Sequence, residues 1–105
     1  MTDAAGRPEA EQRYCLRLFV AGTAPRSLRA VESLRRICET HIPGRYELEI
    51  VDIYQQPDLA ERDGILAAPS LLKVSPLPER RLSGDLLDEA RLLRILEIDP
   101  SGEPR

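Results

Sequence analysis

At 105 residues and 42% hydrophobic side chains the chain suits one compact domain, because two halves of that length would each be too small to bury a core. Its 15 Lys and Arg against 18 Asp and Glu leave a net charge of -3, which excludes the strongly basic field that nucleic-acid phosphates require. No stretch approaches the ~18 apolar residues of a membrane span and the polar start has no signal-peptide core, so no membrane is expected and the expected compartment is the cytoplasm.

Residues 1–13 are polar and without period, and residues 100–105 contain two prolines and a glycine; both read as frayed tails around a single domain over 14–99. Tyr14 to Val20 is an apolar run broken by Arg17 and ended by Gly22, which predicts a strand. Pro25 then suits a first helical turn, and Leu28, Val31, Leu34, Ile37 and Cys38 recur at spacings of three and four. That spacing predicts an amphipathic helix, stopped by Pro43-Gly44. Arg26, Arg29, Glu32, Arg35, Arg36 and Glu39 fill its other positions as a solvated face. Tyr46, Leu48, Ile50, Val51 and Ile53 predict a second strand, and the strand-helix-strand unit should cross over right-handed.

Gln56-Pro57-Asp58 opens a short helix through Ala60, with Gly64 placed to close it in the left-handed conformation. Ala68 to Val74 reads as a strand entered through Pro69, since proline belongs where the ladder needs no donor. Ser75-Pro76-Leu77-Pro78 is a turn. Glu79 to Leu82 is a short edge strand whose arginines deter unwanted pairing, and Asp88 to Glu97 returns to helical spacing through Leu92, Leu93 and Leu96. The order β-α-β-α-β-β-α is that of an α/β, thioredoxin-like domain.

Thiol chemistry on such a fold needs a Cys-x-x-Cys pair at the first turn of the first helix, where the dipole lowers a thiol pKa. That turn reads Gly22-Thr23-Ala24-Pro25-Arg26-Ser27. Cys15 lies in the first strand and Cys38 near the far end of the helix, so both read as reduced core thiols and the chain is expected not to be an enzyme. His41 has no carboxylate or thiol at metal-ligand spacing, so it reads as a contact to the helix C-terminus; no metal and no cofactor is implied.

Several motifs resemble the KaiB family: Leu18-Phe19-Val20-Ala21-Gly22 with Pro25-Arg26-Ser27, Val51-Asp52-Ile53 with Gln56-Pro57-Asp58-Leu59-Ala60, Ile65 to Leu71, Lys73 to Pro78, Arg80-Arg81 and Gly84-Asp85-Leu86. They follow one another without gaps across about residues 14 to 97, which is more specific than any single motif. The resemblance implies a protein that binds the ring of a KaiC-type ATPase and times its phosphorylation cycle, with a KaiA-like protein or a histidine kinase as further partners. It also implies a homo-oligomeric range from monomer to tetramer and a C-terminal half, about Pro57 to Glu97, that exchanges between two packings. By the same resemblance Arg29, Lys73, Arg80 and Arg81 are the expected partner contacts, and Pro69 the cis-proline before the third strand. Two alternatives remain: a non-switching adaptor similar to the sensor domain of a clock histidine kinase, and a thiol redox enzyme. The chain departs from the family pattern at Thr23-Ala24, at Glu49, and at Ile95 and Glu97, which replace a Gly and an Asp at positions that the resemblance ties to fold preference.

Overall fold

The computed structural model describes residues 13–84 and 86–98. Strand β1 (Tyr14–Val20) leads into helix α1 (Pro25–His41) and strand β2 (Tyr46–Asp52). Helix α2 (Pro57–Arg62), strands β3 (Ser70–Ser75) and β4 (Arg80–Ser83), and helix α3 (Glu89–Leu96) complete the order expected from the sequence. The expected tails fall outside the described residues, apart from Arg13, whose guanidinium donates to the Gly44 carbonyl at 3.2 Å. Among the described residues no helix is long and apolar enough to cross a membrane.

The four strands form one mixed sheet in the order β2-β1-β3-β4, with β1 parallel to β2 and antiparallel to β3. Alternation along β1 divides the apolar residues between two faces. Leu16, Leu18 and Val20 pack with Leu34, Ile37 and Cys38 of α1 and Leu92, Leu93 and Leu96 of α3. Phe19 packs on the opposite face with Val51, Leu72 and Ala60 of α2. Each fully buried leucine stabilises the fold by about 2 kcal/mol, so α3 is held mainly by three side chains.

The buried side of α1 differs from the expected stripe at its start. Leu28 is 53% exposed, while Ser27, Ala30 and Ser33 face inward. These small residues let the first turns lie close to the sheet, and the Ser27 hydroxyl accepts from the Ala21 amide at 3.0 Å. β2 ends at Asp52 and not Ile53, because the Asp52 carboxylate turns back to accept from the Tyr54 amide at 2.9 Å. β3 begins at Ser70, after Pro69, where an amide is again available for the ladder. The Ala68–Pro69, Ser75–Pro76 and Leu77–Pro78 bonds are all cis. Asp88 caps α3 by accepting from the Arg91 amide at 3.3 Å, and Glu97 ends it in the left-handed conformation at φ 60°.

Candidate functional site

The strand directions gather one set of loops at a single end of the sheet. β1 and β2 finish there, β3 starts there, and β4 returns there. The loops after β1 and β2 are knitted by Asp52, which accepts from the amides of both Gly22 and Tyr54, at 3.2 and 2.9 Å. Gly22 is favoured at this crossing by its φ of +55°, in the left-handed region. Between the start of α1 and the loop after β4 lies a cleft of about 110 Å³ lined by Arg26, Arg29, Ala30, Pro69, Gly84, Leu86 and Leu87. Along the segments at this end of the sheet Leu28, Tyr54 and Leu87 are exposed, and Leu66 is 99% exposed.

This end is where a thioredoxin-like fold would carry reactive thiols, and the first turn of α1 supplies none. Cys38 is buried at the other end of α1, and burial, aided by the Glu39 charge, pushes its thiol up to about 12. A thiol that stays protonated at neutral pH is a poor nucleophile. Cys15 and Cys38 are both free thiols, and the described residues contain no cluster of metal ligands.

The four basic residues singled out from the sequence do not form one patch. Arg29 is exposed in the cleft beside Pro69, which is itself buried. Arg80 is exposed on β4 but paired with Glu97 at 3.2 Å. Arg81 is exposed on the same strand, where its guanidinium donates to the Asp63 carbonyl. Lys73 departs furthest from the expectation of a surface contact: its side chain is 0% exposed. The register opposite Leu16 turns Lys73 toward the α3 face, so it lies under the end of that helix. Its ammonium makes no hydrogen bond and stands 3.8 Å from the Glu97 carboxylate. Burial lowers the Lys73 pKa, and the Glu97 charge only partly opposes this.

Of the two fold-preference positions, Ile95 packs partly buried against the larger core cluster, and Glu97 sits at the α3 C-cap facing Lys73 and Arg80. His41 occupies the last turn of α1, as expected. Its Nε2 also lies 3.6 Å from Glu89 of α3. Sequence reasoning missed the roles of Arg17, Asp52 and Asp63. Arg17 alone carried a signal, as a charge inside an otherwise apolar strand.

Residues 17–98 match the family model described as the KaiB domain. The chain is 49% identical over 85 residues to the circadian clock oscillator protein KaiB of Synechococcus sp. (strain RCC307), covering 81% of this chain and 77% of that one. It is 46% identical over 89 residues to the protein of the same name from Prochlorococcus marinus (strain MIT 9312), covering 85% of each. Among solved structures, the N-terminal domain of Synechococcus elongatus SasA superposes with a TM-score of 0.69 at 28% identity, covering 91% of this chain and 93% of that domain. Chloroplastic thioredoxin z superposes at 0.67 with 22% identity, covering 81% and 76%, a likeness of fold alone. On a family match that runs through nearly every described element and a sheet of thioredoxin-like order, the chain belongs to the KaiB family.

Proposed function

We propose that this protein is a KaiB-like timing protein that binds the ring of a KaiC-type ATPase in the cytoplasm and modulates its phosphorylation cycle by contact alone. The observation that carries the reading is the family match across residues 17–98. The loop end agrees with a binding role: it offers exposed Leu28, Tyr54, Leu66 and Leu87 beside Arg26 and Arg29, and no reactive thiol. On this reading the chain acts without a cofactor, a KaiA-like protein or a histidine kinase joins or competes on the ring, and residues from about Pro57 to Glu97 change packing between resting and bound forms.

The test is co-purification with a KaiC-type ATPase from the same source, followed by its phosphorylation state over time. A complex that alters the phosphorylation time course is the expected result. Absence of a complex at tens of micromolar protein, or reductase turnover that depends on Cys15 or Cys38, would overturn the reading. A second reading is favoured by the likeness to the SasA domain: a thioredoxin-like adaptor that keeps one packing. It predicts a constitutive monomer with a single set of backbone resonances, free or bound.

A further inference from the structure

The face of the sheet under α2 carries a row of side chains that spans all four strands. The registers align Glu49 with Arg17, Arg17 with Leu72, and Leu72 with Arg81. Two cations, one from the central strand and one from the edge strand, therefore flank Leu72 and converge on Asp63, the C-cap of α2. Arg17 donates from Nη1 to Asp63 Oδ2 at 2.7 Å and from Nε to Glu49 Oε1 at 2.8 Å. Arg81 donates from Nη1 to the Asp63 backbone carbonyl. The next residue, Gly64, has φ +70°, and a Cβ there would stand 3.2 Å from Arg81 Nη1.

These ties are unlike ordinary surface ion pairs. The Arg17 and Asp63 side chains are 23% and 14% exposed, so water screens this pair less than a fully exposed one. Burial alone would raise the Asp63 carboxyl, but the hydrogen bond and charge of Arg17, with Arg62 at 3.4 Å, bring it below its ordinary range. It is ionised at neutral pH.

We propose that Arg17, Asp63 and Arg81 form a clamp that pins α2 and the following loop, residues 64–69, to the sheet. In this clamp Arg81 is an internal strut, and Asp63 is the positioning residue for the loop that carries exposed Leu66 and buried Pro69. A second link in the chain of dependence is local: the Gly64 and Ile65 amides donate to the Glu61 and Ala60 carbonyls at 3.1 and 2.8 Å, so their protection reports whether the segment is closed.

The test is amide hydrogen exchange on the isolated full-length protein, comparing wild type with D63N and R81M. D63N keeps the size of the side chain and removes its charge, and R81M alters an exposed edge residue that leaves the core intact. Both are expected to speed exchange at the Gly64 and Ile65 amides by about tenfold, with β1, β2 and α1 unchanged. Unchanged exchange at Gly64 and Ile65 in both variants, an effect of D63N alone, or equal acceleration across all elements would each overturn the clamp. Because no partner is present, the outcome is independent of the proposed ATPase contact.

Discussion

The ammonium of Lys73 and the carboxylate of Glu97 face each other at 3.8 Å beneath the end of α3, one fully buried and the other 35% exposed. At that distance the ammonium has no hydrogen bond to offset its loss of water. Replacing a buried charge with an apolar group of similar length is often neutral or stabilising, whereas reversing it is not. K73M is therefore expected to melt at the same temperature as wild type or higher, by up to about 2 kcal/mol, and K73E to melt far lower. The lowered pKa adds a sign. In the alkaline range the unfolded chain holds the lysine proton more tightly than the folded one, so this group's contribution to stability rises with pH toward the ordinary lysine value. Tyr46 and Cys38, both raised to about 12, act oppositely, so the wild-type minus K73M difference is the quantity to follow.

Asp63 gives the complementary acid-side prediction. Its depressed pKa contributes stability that is full above the unfolded carboxylate value of about 4 and is lost as pH falls through the folded value. D63N should melt lower than wild type at pH 7, with the gap closing as the pH falls through the depressed folded value. A gap that stays constant with pH would mean that packing, and not charge, makes Asp63 matter.

The cysteines are expected to be dispensable for binding. In the C15A and C38A double variant the partner complex should survive within a few-fold, with a stability cost of about 1 to 2 kcal/mol from the small cavity at Cys38. Insulin-disulfide reduction should be absent in both wild type and variant.

Among the basic residues, Arg29 is the one whose charge reversal should read out on a partner. It is exposed in the loop-end cleft and has no acidic partner among the described residues. R29E is expected to weaken the ATPase complex about tenfold, or ~1.4 kcal/mol, while R94E on α3 changes it little. R81E would weaken it too, but with faster exchange at Gly64 and Ile65 already present before any partner is added. Equal effects of R29E and R94E would place the interface elsewhere.

The resting arrangement of the C-terminal half is open to direct measurement. Backbone chemical shifts of the isolated protein should show strand at Ser70–Ser75 and helix at Glu89–Leu96. L92A, which empties a fully buried position, should cost about 3 kcal/mol and erase the α3 signals first. A helix across Ser70–Ser75 with a strand after Asp88 would mean that the alternative packing dominates at rest.

The element order was legible because the apolar spacings of α1 and α3 and the Pro and Gly punctuation of the loops act locally. Leu28 was misread because helical spacing cannot distinguish an apolar residue on the sheet from one displaced by the smaller Ser27 and Ala30. Lys73 was misread for a different reason. Its burial depends on the β1–β3 register and on where α3 ends, and neither is encoded near residue 73. Asp63 gave no signal at all, because its meaning lies in Arg17 and Arg81, which lie far from it in sequence and come together only once the sheet forms.

The mixed sheet has a further mechanical implication. β2 and β3 lie on opposite edges of β1, so β3, β4 and α3 join the β1-α1-β2 unit through one hydrogen-bonded seam, Cys15 to Phe19 against Ser70 to Ser75. That seam carries a register shift at Cys15/Leu16, which interrupts the ladder near one end. Unzipping it from the interrupted end would open this ladder while every β1–β2 bond stays made, leaving the packing of α3 on α1 to hold the three-element block. The molecule is therefore built with a tear line, and the parts on its two sides need not come apart at the same free energy.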